Sequence, residues 1–549
     1  MKWHIQSTNT PKNLQELKKI LLQNRKIKDE KSFFKGVSPF KISLKELDIS
    51  ARDLTKIKKR LKKAKDNQEK IVIFGDYDAD GISATAVLWQ VLYAQSYNVL
   101  PFIPNRLKHG YGLSIKAIND LLLEQADVSL IITVDNGIVA HDTLKLLKKH
   151  KIDAIITDHH QKDEEKLDAL AIFHSTKICG CALAWFLARE LSSQKEKQLL
   201  TDLLALVAIA TVTDLMPLLM VNRSLLIYGL AVLRTNPSLG LQHLFASAKI
   251  DQSKIDTYTL GFQIGPRINA MGRLANGMDA LRLLCTKNKT QATELSHLLQ
   301  VTNEDRQNLT FDLTQSAEEI VAQETTEKII ILSSVDYHEG IIGLMAGKMT
   351  EKYAKPSIVI SEGPEVSKAS ARSLPGFNIT EFIRFFKKDL LEVGGHPLAA
   401  GFALETKKIP LVKIKMQKQA KILLAKKNLE KILQVENVLP IKLLTLETVA
   451  LVEQFAPFGL ANPKPVFALQ NATLKNYKLL GRDGEHLKLI VAFAGSNQEY
   501  EVLAWRQAAL AQKLILGTKL NLAVSLDINS YRGSNRLQLI LKDLKPQAN

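Results

Sequence analysis

Ile71-Val72-Ile73-Phe74-Gly75-Asp76-Tyr77-Asp78-Ala79-Asp80-Gly81 joins an apolar, β-branched run to three aspartates spaced two residues apart, and its reading decides the fold. Two later stretches end in the same way. Leu130–Val134 runs into Asp135-Asn136-Gly137, and Ile152–Ile156 runs into Thr157-Asp158-His159-His160. The runs have the composition of buried strands, and Ile82–Tyr93, Ser114–Glu124 and Val139–Lys149 have that of helices. Strand alternating with helix implies right-handed βαβ units, a parallel sheet and an α/β fold. In an open sheet of this kind the strand ends face one crevice, where ligands bind. Five aspartates and two histidines gathered there repel one another unless a cation lies between them. This is the composition of a divalent-metal site, and it implies a metal-dependent phosphohydrolase.

Taken singly, none of these residues is diagnostic. An Asp beside Gly is more often a turn or a helix cap, Asn136-Gly137 alone reads as a turn, and an isolated His pair is more often packed than ligating. Three strand ends carrying Asp, the last with His added, reverse that balance. Asp214, in Thr211-Val212-Thr213-Asp214, ends an otherwise apolar helix, where an unpaired carboxylate is expensive to bury. Mostly carboxylate donors with one imidazole favour Mn²⁺ or Mg²⁺ over zinc. Two such ions activate water and stabilise the leaving oxygen of a phosphodiester, so no serine or cysteine nucleophile is needed.

At 549 residues the chain exceeds one core and divides into several domains. Its 46% hydrophobic and 24% charged content is that of a globular protein. The longest apolar run, Leu203–Val212, is about half a bilayer crossing. No secretory signal is visible, so the expected location is the cytoplasm, with no membrane contact. Three cysteines make no disulfide framework, and Cys179-Gly180-Cys181 has the wrong spacing for a zinc hook. A net charge of +18 implies a polyanionic partner, of which nucleic acid is the common one.

The expected organisation is an N-terminal arm (1–50), a metal-bearing parallel-sheet domain (51–235), a helical connector (236–325), a second α/β domain (326–435) and a C-terminal domain (436–549). Leu54–Lys65 reads as a basic helix, and Thr201–Asp214 and Asn222–Leu233 as further helices. Asp279–Gln323 fits one or two long helices that would space two α/β blocks. Lys407–Leu433 is lysine-rich and amphipathic, and reads better as a solvated helix face than as a nucleic-acid contact. From about Pro440, Val466–Leu469, Leu487–Ala492, Glu501–Leu503, Lys519–Leu526 and Leu537–Leu541 alternate like strands, with turns at Gly481–Gly484 and Tyr531–Ser534. That spacing suggests a small closed barrel of the OB type, which often binds single strands.

The metal segments resemble the DHH phosphoesterase superfamily, whose signature stands here as Asp158-His159-His160. Within it the chain is most similar to the single-strand-specific 5′→3′ exonucleases of bacterial repair and recombination. The likeness runs from about Ile71 to the C-terminus. It includes Gly75–Gly81, Pro104-Asn105-Arg106, Gly110-Tyr111-Gly112-Leu113-Ser114 and Thr133–Gly137. It continues through Gly265–Leu274, His338-Glu339-Gly340-Ile341-Ile342-Gly343 and Gly394-Gly395-His396-Pro397-Leu398-Ala399-Ala400-Gly401.

The resemblance implies that Asp76, Asp78, Asp80, Asp135, His159 and Asp214 hold two ions, with Asp135 bridging. It implies that His160 supports them and that His396, in the DHH-associated domain, contacts a phosphate. Arg106, Arg273 and Arg372 are placed on phosphates, a task that suits the planar guanidinium fork. Ser370 and Ser373 would complete a pocket for a 5′ phosphate, and Tyr111 would stack on a base and narrow the entrance against duplex. Ala371 stands where the family usually has Gly, and Phe173-His174-Ser175-Thr176 replaces an Asn-Pro stretch, leaving His174 without a role. The implied partners are single-stranded DNA, a single-strand-binding protein and a helicase, with the chain a monomer. Two other readings stand beside this one: a phosphodiesterase for short oligonucleotides or cyclic dinucleotides, and a DNA-binding scaffold without hydrolysis.

Overall fold

The computed structural model describes residues 1–323, 327–425, 432–496, 498–531 and 534–547. The expected boundary at residues 325–326, residues 426–431 of the Lys407–Leu433 stretch, and the Arg532-Gly533 turn lie outside the described residues. The chain forms two compact units that do not follow chain order. One gathers Ile42–Asp214 with Tyr228–Leu429; the other gathers Met1–Lys41, Leu215–Ile227 and Glu430–Asn549.

In the first unit, five parallel strands lie in the order Val99–Phe102, Lys70–Phe74, Val128–Val134, Asp153–Asp158, Ala171–His174. The chain therefore reverses direction across the sheet between Lys70–Phe74 and Val128–Val134, the switch point where open α/β sheets bind ligands. Ile71, Ile73, Leu130 and Ile132 are fully buried, as are Phe74 and Ile131. Strands covered on both faces read as continuous apolar runs. One cover is Ile115–Glu124 with His141–Lys149, whose Ile118, Leu121, Leu144 and Leu147 share a core with Val72, Phe74 and Ile131. Ala79–Ala94 is buried almost all round and packs against Gly180–Leu191 and Leu204–Thr213. The two edge strands were not legible as strands in the sequence. Each has four residues, and Pro101 removes a ladder donor from one, which only an edge tolerates.

Lys289–Gln323 is a 35-residue helix, about 50 Å long, leading to the second sheet. That sheet runs Glu392–His396, Ala399–Glu405, Val366–Arg372, Ser357–Ser361, Ile330–Ser334, and only its last pair is parallel. Period-two alternation sends Ile331 and Ile360 to one core and Ile330, Leu332 and Val359 to the other. Ile342–Tyr353 covers the second of these faces and Ile409–Leu424 the first.

The other unit holds the expected closed barrel, in the order Phe467–Leu480, His486–Ala492, Glu499–Ala504, Ser534–Pro546, Lys519–Tyr531. The N-terminal segment, expected as an arm, carries both helices and a strand. Besides Leu14–Asn24 and Glu30–Lys35, Lys2–Ile5 forms a strand paired in parallel with Ile432–Val435. A pairing so remote in sequence leaves no local pattern. Arg25 and Glu436 make a buried ion pair at 2.7 Å. Arg223 is 1% exposed, lies over the Phe33 ring, and donates to the carbonyls of Phe33, Phe455, Ala456 and Pro457 at 2.6–3.1 Å. Burial lowers its pKa to about 10. Four carbonyls, those of Phe33 and Phe455 buried, depend on this side chain, so Arg223→Leu should destabilise the unit by about 3 kcal/mol. A denaturation midpoint equal to that of the parent chain would refute this role.

Candidate metal centre

Three strand ends bring the acidic segments together beside the switch point. Lys70–Phe74 leads through Gly75 to Asp76, and Asp78 caps the following helix, its Oδ1 accepting the Asp80 and Gly81 amides at 3.0 Å. Gly75 leaves no room for a side chain, since a Cβ there would stand 2.0 Å from Thr85 Oγ1. A Cβ on Gly81 would stand 2.6 Å from Asp76. Asp135 ends the next strand with φ 65°, a left-handed conformation uncommon for a non-glycine residue and typical of functional sites. His159 and His160 follow the third strand, and Asp214 caps the C-terminus of Leu204–Thr213.

Ligand-type atoms of Asp76, Asp78 and Asp135 lie within 4.8 Å of one another, and so do those of Asp80, His159 and Asp214. His159 Nε2 stands 3.2 Å from Asp135 Oδ1, 3.6 Å from Asp214 Oδ2 and 3.9 Å from Asp80 Oδ2. Asp76, Asp80 and Asp135 are each no more than 2% exposed. Asp135 Oδ1 and Asp214 Oδ2 are buried without a hydrogen-bond donor. Buried oxygens in that state need a cation.

The electrostatics agree. Burial, then the Asp78 charge, pushes Asp76 up to about 8 and Asp80 up to about 7. Burial, then Asp80 and Asp78, pushes Asp214 to about 9 and drives Asp135 well above the carboxylate range. Burial and the neighbouring His160 charge lower His159 to about 4, which keeps its imidazole neutral and able to ligate. A set of oxygen donors with one neutral nitrogen fits Mn²⁺ or Mg²⁺.

Several positioning contacts were not legible in the sequence. Both Asp80 oxygens accept backbone amides, from Gly180 and Cys181 at 2.7 Å, at the start of Gly180–Leu191. A Cβ on Gly180 would stand 2.5 Å from Asp135 Cβ. Cys179-Gly180-Cys181 is thus a carboxylate cradle, and the signal was a glycine opening an apolar helix. Asp158, expected among the acidic crevice residues, accepts Ile138 N at 2.9 Å and binds His160 Nδ1 at 2.7 Å. Burial lowers the His160 pKa, but the Asp158 hydrogen bond and charge outweigh it and raise it to about 9. Asn269 accepts the Ala79 amide at 2.8 Å, and Gly272 packs on the Tyr77 carbonyl. His174, unassigned from sequence, meets the His160 carbonyl at 2.8 Å.

The remaining predicted residues lie as follows. Tyr111 is 60% exposed, with its hydroxyl 3.2 Å from His160 Nε2. Arg106 lies over the Tyr77 ring. Arg273 donates to the Gly340 carbonyl at 2.9 Å, and Arg372 to Ser370 Oγ at 3.2 Å. Burial, then the Arg106, Arg306 and Arg372 charges, lowers Arg273 to about 10. Among the described residues, none of Arg106, Arg273 and Arg372 has a carboxylate partner, so the cluster is suited to an anion. Arg306 belongs to this neighbourhood and was missed in the sequence. Ser373 donates its hydroxyl to the Phe377 carbonyl at 2.8 Å. His396 is exposed on its hairpin strand, and its charge bears on His159. Among the described residues no helix is long and apolar enough to cross a membrane.

Residues 70–211 match the DHH family N-terminal domain, 326–422 the DHHA1 domain, and 435–543 the RecJ OB domain. The chain is 32% identical over 496 residues to the single-stranded-DNA-specific exonuclease RecJ of Bacillus subtilis, covering 88% of this chain and 62% of that protein. It is 31% identical to the Thermus thermophilus protein of the same name, over 87% of this chain and 69% of that one. The crystal structure of Thermus thermophilus RecJ in complex with Mn²⁺ matches with a TM-score of 0.83 at 26% identity, covering 100% of this chain and 80% of that chain. The metal-site geometry, the ordered domains and these likenesses together establish that the chain belongs to the RecJ family of DHH phosphoesterases.

Proposed function

We propose that this protein is an exonuclease that removes mononucleotides from the 5′ end of single-stranded DNA in repair and recombination. The observation that carries the reading is the cluster of Asp76, Asp78, Asp80, Asp135, His159 and Asp214, with buried oxygens left without donors. Asp76, Asp78 and Asp135 would hold one ion and Asp80, His159 and Asp214 the other, and Asp135, whose Oδ1 is 3.2 Å from His159 Nε2, stands within reach of both groups. Two Mn²⁺ or Mg²⁺ ions held there would supply an activated water and charge to offset that of the departing oxygen.

The chain's own residues do the rest. Arg106, Arg273 and Arg372, with Ser370, hold the terminal 5′ phosphate, which sets the next phosphodiester over the carboxylates. His160, kept protonated by Asp158, gives a fixed positive group beside the reacting phosphate, and His396 offers its imidazole as a hydrogen-bond partner to it. Tyr111 offers an exposed ring for the terminal base. The water oxygen bonds to phosphorus as the P–O3′ bond breaks, and the proton passes to the departing 3′ oxygen. The released nucleotide carries its 5′ phosphate, and the shortened strand begins with a new one. Single-stranded DNA is the substrate; a helicase or single-strand-binding protein is the kind of partner that would present it, and the complete residue set in one chain suits a monomer.

Strands labelled at the 5′ end should release mononucleotide at once and 3′-labelled strands only at completion, with duplex and RNA resistant. Simultaneous release from both ends, or activity in chelator, would overturn the reading, and a preference for dinucleotides would favour the short-oligonucleotide phosphodiesterase. Asp135→Asn should lower kcat by about 10³-fold or more while strand binding in chelator persists; a parent chain that binds strands but releases no nucleotide with Mn²⁺ or Mg²⁺ would instead favour a scaffold. Arg372→Ala should raise KM about 10- to 100-fold for 5′-phosphorylated strands and much less for 5′-hydroxyl strands. Equal effects on the two substrates would remove Arg372 from the phosphate pocket.

A further inference from the structure

The lysine-rich helix Ile409–Leu424 is not explained by packing alone. It buries Ile409, Val412, Met416, Ala420 and Leu424 against the second sheet, and turns Lys415 and Lys418 outward. These lysines form one wall of an open cleft of about 900 Å³. Arg384, Phe385, Lys387 and Lys388, from the end of Ile379–Arg384 and the turn after it, form the opposite wall. Asp389 pairs with Lys415 at 2.8 Å. Among the described residues, Arg384, Lys387, Lys388 and Lys418 have no carboxylate partner.

Phe385 lies among these cations and is 70% exposed. Its ring is fixed edge-on against buried Phe386, with centroids 5.2 Å apart at 79°. A groove with cations on both walls and a rigid, exposed aromatic ring matches what a single strand needs: charge for its phosphates and a platform for a base. The cleft is also linked through hydrogen bonds to the hairpin that carries His396. Thr380 donates to the His396 carbonyl, and Ile379 N to the Pro397 carbonyl, which ties Ile379–Arg384 to the hairpin bearing His396. Phe385 follows six residues later, about 9 Å along the helix.

We propose that this cleft is a second contact for single-stranded DNA, separate from the metal centre, that engages a strand once it is long enough to reach it. The proposal rests on the exonuclease reading and assigns a further part of its substrate. The cations take successive phosphates and Phe385 stacks on a base between them.

The test is fluorescence anisotropy of the full chain in chelator, with a 5-mer and a 30-mer of 5′-phosphorylated DNA. Substituting Lys387→Glu, Lys388→Glu and Lys418→Glu together should weaken 30-mer binding at least tenfold more than 5-mer binding. The slope of log K against log salt should fall by about 2, as for the loss of three single-strand phosphate contacts. Phe385→Ala should weaken the 30-mer about tenfold with the salt slope unchanged. Equal losses at both lengths, or a 30-mer bound as tightly as by the parent chain, would overturn the proposal, and the second result would assign the cleft to an acidic protein partner. Because binding is read without hydrolysis, a parent chain that binds through the cleft yet releases no nucleotide would sink the exonuclease reading alone.

Discussion

Carboxylates that share a low-dielectric crevice cannot all stay charged unless something of opposite sign sits among them. In this protein Asp76, Asp80 and Asp135 are almost wholly buried and Asp78 and Asp214 stand beside them, yet no lysine or arginine pairs with any of the five among the described residues. The raised pKa values of Asp76, Asp80, Asp135 and Asp214 trace to the same two causes, loss of water and mutual repulsion. The rest of the metal-bearing domain serves to hold that unfavourable set in place. A parallel sheet delivers three strand ends to one switch point, and helices covering both faces leave the ends little freedom.

Fixed partners set the geometry around this charge cluster. The amides of Gly180 and Cys181 grip Asp80 from a helix N-terminus, where partial positive charge accumulates. Asp158 leaves the acidic set chemically: its oxygens are used by Ile138 and His160, which fixes the His160 ring and its proton. Two adjacent histidines therefore take opposite states, His159 neutral and His160 charged, from environments a few ångströms apart. Glycines at 75, 81 and 180 are required by close approach, since a Cβ at 81 or 180 would collide with Asp76 or Asp135, and one at 75 with Thr85 of the following helix.

How far the sequence discloses this follows from the range of each interaction. The strand-end motifs are local, so the parallel sheet, the acidic set and the approximate course of Ala79–Ala94 were readable from residues 71–160. The OB-type barrel was readable because its strands alternate and its turns carry glycine. The edge strands Val99–Phe102 and Ala171–His174 were not, being short and, in one case, broken by Pro101. Nor was the Lys2–Ile5 strand, whose partner lies more than 400 residues away. The Gly180 cradle, the Asn269 cap and the place of Arg306 near the arginine cluster depend on tertiary contact, and composition alone does not disclose them. The lysines of Ile409–Leu424 read as a solvated face, and Lys415 and Lys418 are exposed; the cations from Arg384 to Lys388 that line the same cleft come from a separate segment, which composition alone does not bring beside them.

The central claim, that cations hold together a set of carboxylates which otherwise oppose folding, is tested most directly by comparing the thermal stability of the parent chain and Asp135→Asn, with and without Mn²⁺. In chelator the neutral side chain should melt several degrees higher, because it removes a buried group that nothing compensates. With Mn²⁺ the order should reverse, because the parent gains a ligand that the variant lacks. If Asp135→Asn were the less stable protein in chelator too, or if Mn²⁺ left both transitions unmoved, the account would be contradicted.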